Sequence, residues 1–174
     1  MADTANVKVG VCSVTFNGTD LGYTKGGIEF SVTTEKYSVT VDQFGNTPIS
    51  EIITSRVVNV TTPLAETSLE NLVLVMPGST LVTDGTDPTK KRVDVTDAVS
   101  TDLLPLAEKL VLHPQALAVA DVSEDVIVPQ AATAGSLNFA YVLDSERVYN
   151  VEWVGYPDPT TRILFQYGDE SATA

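Results

Sequence analysis

Two long runs of β-forming residues around a turn-rich tip, at residues 27–62, constrain the fold of this chain more than any other stretch. Apolar and polar residues alternate along the first run, which is typical of a strand with one buried face. The apolar positions change from even to odd between Thr33 and Lys36, and because a shift of one residue reverses every side chain, we expect a bulge or a bend there. Each arm has about a dozen residues, roughly twice the usual strand length, so the hairpin should project from its domain.

The tip of this hairpin, residues 42–50, places two apolar residues, Phe44 and Ile49, among turn-forming residues. One exposed aromatic residue in a loop is ordinary, whereas two apolar residues at the end of a long hairpin favour a partner surface. Both interpretations stay open. The return run carries adjacent apolar pairs at Ile52/Ile53 and Val57/Val58. A strand with one buried face would lack such pairs, so both of its faces should be partly covered.

A change of hydrophobic period after the hairpin predicts one helix. Thr67 and Glu70 fit a capping box, in which a hydroxyl and a carboxylate three residues later satisfy free amides at the helix start. Apolar residues then recur at helical spacing, and the dipeptide Pro77-Gly78 is a stop signal. The pattern predicts a short amphipathic helix at residues 67–76 that covers one face of a sheet.

The remaining chain has the pattern of short strands. Residues 79–102 form an excursion with turn signals, interpreted as a hairpin of strands at 80–82 and 92–95. In a later strand, Tyr149, Val151 and Trp153 share the face that should point into the core. The elements predict one mainly β domain over residues 1–174, an antiparallel two-sheet sandwich or partly closed barrel with a flanking helix and the projecting hairpin. The other strands are expected at residues 7–16, 109–113, 126–129, 136–143, 147–155 and 162–167.

Charge and residue counts argue against several classes of protein. Lys and Arg number 10 against 23 Asp and Glu, a formal net charge of −13, whereas a free nucleic-acid binder needs clustered basic residues for phosphates. The single cysteine, Cys12, forms no internal disulfide. No apolar run approaches the ~20 residues that span a membrane, and the first ten residues lack the features of a signal peptide. We therefore expect a soluble protein made in a cytoplasm.

Catalytic and metal-binding motifs are not evident in the sequence. The single histidine, His113, excludes a metal site of several imidazoles, and we interpret it as structural. Cys12 lies in an apolar alternation without a Cys-His context, which favours a buried small hydrophobe over a nucleophile. The acidic pairs Glu124/Asp125 and Asp144/Glu146 are interpreted as solvated acids rather than as a cation site or a catalytic pair. We expect no enzymatic activity, cofactor or metal.

Motifs spread over nearly the whole chain resemble one known family. LGYTKGGIEF, the long hairpin, TTPLAETSLENL and the MPG stop come in this order in the first half, and LVLHP, VIVPQAA, LNFAYVLDSERVYNVEWVGYPD and LFQYGD follow. Their order and spacing resemble the tail tube (major tail) proteins of bacteriophages with long, non-contractile tails, the siphovirus type. The excursion at residues 79–102 matches nothing in that family.

The resemblance implies a structural virion protein. Six copies would form a ring, rings would stack into a tube, and one sheet of each subunit would join its neighbours in a β-barrel around the lumen. The hairpin would line the lumen, with Glu29, Ser31, Thr33, Ser38 and Thr40 facing it. Its tip would reach the adjacent ring through Asp42, Phe44, Asn46, Pro48 and Ile49.

The same resemblance implies a location and partners. The protein would be made in the cytoplasm of the host bacterium and reside in the virion. Its partners would be further copies of itself, a tape-measure protein, a tail chaperone, a tail terminator and tail-tip proteins. Genome DNA would pass through the lumen without specific binding, and the chain would bind no membrane.

The acidic balance has a physical use in such a tube, because carboxylates on the wall repel phosphates that Lys or Arg would hold. We hypothesise an acidic lining on this ground. The alternative is a virion decoration or adhesion β-sandwich that recognises a surface, which predicts a compact monomer or trimer with an exposed aromatic patch.

Overall fold

The computed structural model describes residues 7–97 and 99–172. Residues 1–6 and Ala98 lie outside the described residues. The first range contains most of the segment that was predicted to lack a signal peptide, and Ala98 belongs to the predicted excursion. The described chain forms ten strands and one α-helix: β1 Cys12–Phe16, β2 Thr19–Asp20, β3 Glu29–Val39, β4 Ser50–Leu64, α1 Leu69–Val75, β5 Ser79–Thr83, β6 Lys91–Val95, β7 Glu108–Pro114, β8 Val126–Ala132, β9 Tyr149–Tyr156 and β10 Gln166–Tyr167.

Eight of the strands form one antiparallel sheet. Its order is β2-β1-β7-β8-β9-β4-β3, and β10 pairs with β8 beside the end of β8 that β9 does not cover. The other sheet is the two-stranded hairpin β5–β6, at the place where the sequence predicts it. A mainly β fold with a flanking helix and a long hairpin is therefore confirmed.

The large sheet curls around its own core. The rings of Phe16 in β1 and Trp153 in β9 lie 4.5 Å apart between centroids, although β7 and β8 separate these strands in the sheet. The predicted core face of β9 is confirmed, since Tyr149, Val151 and Trp153 are all buried. The indole Nε1 of Trp153 donates to Thr62 Oγ1 at 2.8 Å, so the one polar atom of this ring is satisfied inside the core.

Gly155 lies where a side chain would meet two neighbouring strands of the core. A Cβ atom on Gly155 would lie 3.0 Å from side-chain atoms of both Val58 and Val128. Real Cβ contacts of that length require the neighbours to move. The chain therefore needs glycine here because β4, β8 and β9 meet at this point.

The helix is confirmed, but it begins two residues later than predicted and uses a different cap. Ser68 is the N-cap residue, and its Oγ accepts from the amide of Asn71 at 3.0 Å. Thr67 accepts from the guanidinium Nη2 of Arg147 at 2.9 Å instead. The predicted capping box between Thr67 and Glu70 is therefore wrong. The Thr67 hydroxyl binds Arg147, which is distant in sequence, and the Ser68 hydroxyl caps the helix.

Three predicted strands differ from the structure. The strand predicted at 162–167 is confined to Gln166–Tyr167, which pair with β8. Residues 136–143 form no strand, although Leu137 and Phe139 pack on the core and the Phe139 ring lies 5.2 Å from that of Tyr149. The alternation of apolar and polar residues correctly indicates that one side of this segment is buried. A strand also requires backbone hydrogen bonds to a neighbouring segment. Residues 7–11 are likewise outside β1, whose pairing with β7 ends at Cys12 opposite Pro114.

Candidate functional site

The outer half of the β3–β4 hairpin lies beyond the rest of the sheet. β4 pairs with β9 only from Val58 to Leu64, so residues 50–57 pair with β3 alone within the described chain. At about 3.3 Å per residue, this part is about 25 Å long. A two-stranded ribbon is marginally stable alone, which makes this ribbon a candidate for contact with another molecule.

The bulge predicted between Thr33 and Lys36 is confirmed, but its extra residue lies on the other strand. Glu35 pairs with Ser55 and Lys36 pairs with Ile53, so Thr54 of β4 has no partner in β3. β3 therefore keeps its alternation, while the side chains of β4 change faces at Thr54. Beyond the bulge, Ile52 and Ile53 pair with Tyr37 and Lys36 and point to opposite faces of the ribbon.

The bulge divides the predicted lumen residues between two faces. Directly opposed residues of an antiparallel pair share a face. We call the face that combines Glu29, Ser31, Thr33 and Glu35 of β3 with Ser55, Val57, Asn59 and Thr61 of β4 the acidic face. Ser38 lies on the opposite face and donates to Glu51 Oε1 at 3.3 Å, and Thr40 follows the end of β3. The sequence grouped Ser38 with Glu29 because it assigned the extra residue to β3.

The same register separates the charges of the ribbon. Its two basic residues, Lys36 and Arg56, both lie on the face opposite the acidic face. Lys36 Nζ binds Glu51 Oε2 at 2.7 Å, and this hydrogen bond, with the charge of Lys36, lowers the pKa of the Glu51 carboxyl. On the acidic face, Ser55 Oγ donates to Glu35 Oε2 at 3.0 Å. The acidic face therefore presents carboxylates, hydroxyls, an amide and the side chain of Val57, without a basic residue of the hairpin.

Backbone hydrogen bonds hold the tip in one shape. Residues Asp42–Phe44 form a 3₁₀ turn, Thr47 N donates to Phe44 O at 3.2 Å, and Ile49 N donates to Val39 O at 2.9 Å. Gly45 has φ 60° and ψ −133°, a conformation that only glycine adopts readily. Phe44 is 65% exposed and Ile49 is 52% exposed, so a preorganised loop presents two apolar side chains. The five predicted stacking residues all lie on the exposed surface of this loop: Asp42, Phe44, Asn46, Pro48 and Ile49.

The hairpin also supplies an open sheet edge. β3 is the last strand of the large sheet and has eleven residues. The outer edge of such a strand carries backbone amides and carbonyls that pair readily with another chain. Pairing along β3 would extend the sheet into a neighbouring molecule.

The groups considered for chemistry belong to segments outside the hairpin. His113 Nδ1 lies 2.7 Å from Asp125 Oδ1, whereas the adjacent Glu124 binds Lys8 and Glu146 binds Lys25. The acids predicted to be solvated are thus mostly engaged in pairs. Cys12 is half-buried, and burial raises the pKa of its thiol. Across residues 7–97 and 99–172, no three His, Cys, Asp or Glu side chains form a metal-binding group.

No helix in the described part of the chain combines the length and apolar character needed to cross a membrane.

Comparisons with known proteins find similarity in structure. No protein-family model matches the chain, and no curated protein matches it. Among solved structures, the chain is similar to the anti-feeding prophage cap (AFP tube terminating cap), determined by cryo-EM, with 14% identity and a TM-score of 0.48. The similarity covers 97% of this chain and 100% of that chain.

Proposed function

We propose that the protein is a structural subunit that assembles into stacked hexameric rings, the major tail tube protein of a siphovirus-type bacteriophage tail. The observation that carries this proposal is the hairpin, whose outer half pairs with no further strand in the described part of the chain. Its faces expose Tyr37, Ile52 and Ile53, and its tip exposes Phe44 and Ile49. Exposed apolar groups on this scale favour burial against another molecule. Identical copies can supply that surface at every position of a tube.

Ring formation would use the open edge of β3. When the edge strand of each subunit pairs with the next subunit around a closed ring, every exposed edge is covered. The ribbon beyond β9 would then gain neighbours on both sides. The ring number of six comes from the resemblance of the sequence to tail tube proteins.

The acidic face would form the wall of the lumen. It lies on the side of the sheet opposite the core residues Val58 and Val60, and Glu152 of β9 pairs with Thr61 and extends it. Carboxylates at the wall would repel the phosphates of passing DNA and avoid the counterion release that drives binding to Lys and Arg. We therefore place Glu35 in the lining and Ser38 outside it, with Glu29, Ser31 and Thr33 as initially expected.

The remaining attributes follow from such a role. The protein would reside in the virion, act without a catalytic site, and meet the tape-measure, chaperone, terminator and tail-tip proteins during assembly. A decoration or adhesion module is the alternative, and it would expose the same apolar groups to a foreign surface instead.

Concentration-dependent assembly of the purified protein tests this proposal. We expect sedimentation velocity to show a monomer that gives way to larger particles as concentration rises. Negative-stain microscopy should show those particles as rings and hollow tubes. A monomer that persists at every concentration would overturn the proposal and favour the decoration or adhesion module.

Reversing the charge of the acidic face should make the tube bind DNA. In the double variant Glu29→Lys/Glu35→Lys, short duplex DNA should co-sediment with assembled tubes at low salt, on the order of tenfold above the original protein, and dissociate as salt rises. The double variant Asp97→Lys/Glu108→Lys adds the same charge at exposed positions outside the hairpin. Equal DNA binding by the two variants would contradict a lumenal position of the acidic face.

A further inference from the structure

A groove of about 470 Å³ opens at the base of the hairpin. This volume lies within the ~300–1,000 Å³ of pockets that bury ligands. The segment at residues 7–11 forms one wall, and Val9 in it is 90% exposed. The lining is mainly apolar and includes Val9, Val11, Cys12, Ile28, Phe30 and Leu117.

The groove and the tip lie at opposite ends of the hairpin. Ile28 and Phe30 stand at the start of β3, and Phe44 follows its end, so the eleven residues of β3 separate the two surfaces. At about 3.3 Å per residue, this separation is about 35 Å. The tip therefore cannot reach the groove of its own chain. A contact between unlike surfaces at opposite ends of identical molecules repeats from copy to copy and gives an open stack.

We infer that the groove receives the hairpin tip of a second copy of this chain. This inference rests on the proposed tube and identifies the surface at which one ring receives the next. Phe44 and Ile49 enter the groove and bury their apolar side chains against Ile28, Phe30 and the wall at residues 7–11. The tip backbone is already ordered by its own hydrogen bonds, so docking orders little additional chain.

Charge favours the same occupant. Asp42 is the only charged residue among residues 40–49, and it lies beside Phe44 on the tip. At the groove, Lys8 pairs with Glu124 at 2.8 Å, but the side chain of Lys8 is 61% exposed and that of Glu124 is 24% exposed. Lys8 is therefore the more exposed partner of this pair at the groove, and its charge is opposite in sign to that of Asp42.

The position of Cys12 in the groove allows a direct test, because it is the only cysteine in the chain. Variants Ile49→Cys and Phe44→Cys each place a second thiol on the tip. Mild oxidation of assembled tubes should then link each chain to the next, since a disulfide forms when the two Cβ atoms lie about 3.5–4.5 Å apart. The expected result for at least one variant is a ladder of covalent oligomers on a non-reducing gel.

Two control proteins assign the ladder to this contact. The original protein carries only Cys12, and the variant Cys12→Ser/Ile49→Cys carries only the tip thiol, so each forms dimers at most. Intact tubes of both tip variants without a ladder would overturn docking in the groove and leave the tube itself standing. If the original protein forms no tubes, the proposed function fails before this test applies.

A second variant tests the groove without a crosslink. Val9→Asp should raise the protein concentration needed for tubes by roughly tenfold or more, because an unpaired carboxylate is unfavourable in an apolar contact. Val119→Asp is the matched control, since Val119 is also 90% exposed and does not line the groove. Equal assembly of these two variants would overturn the inference.

Discussion

Deletion of Phe44 to Pro48 is expected to abolish tubes while leaving the subunit folded. The five residues lie in the exposed loop between β3 and β4, outside the core, and exposed loop tips tolerate such changes. The deletion removes Phe44 and the glycine turn that presents it. Negative-stain microscopy should show rings or monomers without tubes, and the circular dichroism spectrum should match that of the original protein.

A deletion of equal length supplies the control for this experiment. Removal of Gly85 to Thr89 shortens the exposed turn between β5 and β6 and leaves a two-residue connection. Tubes should still form. Long tubes from the Phe44 to Pro48 deletion would show that the joint between rings lies elsewhere. Loss of tubes in both proteins would show that the effect is not specific to the hairpin tip.

Replacement of Trp153 by alanine should produce the largest loss of folding stability. The ring is 1% exposed, contacts Phe16 across the curled sheet, and donates to Thr62 Oγ1. Truncation of a buried tryptophan costs about 3–5 kcal/mol, a large part of the ~5–15 kcal/mol that stabilises a typical domain. Urea denaturation should show a much lower midpoint with a similar slope.

The neighbouring Val154 provides a matched control. It follows Trp153 in β9 but points to the outer face and is partly exposed. Val154→Ala should change the free energy of unfolding by about 0.5 kcal/mol or less. Trp153→Phe should fall between the two variants, since it keeps an aromatic ring in the core but leaves Thr62 without the indole donor. Equal midpoints for the alanine variants at 153 and 154 would contradict a core centred on Trp153.

Local patterns in the sequence determined most of the elements. Alternation identified the core face of β9 and the two arms of the hairpin, because side chains in a strand point to opposite faces in turn. Turn-forming residues around Phe44 and Ile49 located the exposed tip. Each of these features depends on residues close together in the chain.

Predictions failed where the outcome depended on a distant partner. Residues 136–143 alternate like a strand, but no other segment among residues 7–97 and 99–172 pairs with their backbone to form one. Thr67 had a suitable sequence position for the helix cap, but Arg147 binds its hydroxyl. The bulge was expected in the correct part of the hairpin. Which strand carries the extra residue depends on how β3 and β4 pair, and the extra residue is in β4. Because of this register, Ser38 lies on the face opposite the acidic face.

By itself, the sequence determined a mainly β chain with a long hairpin, one short helix and an apolar tip. Only the tertiary structure decided which charges share a face and that Val9, Phe30 and Leu117 meet in one groove. The reason is physical, since alternation and turn chemistry act over a few residues. Strand register and grooves instead arise from contacts between segments that the curled sheet brings together.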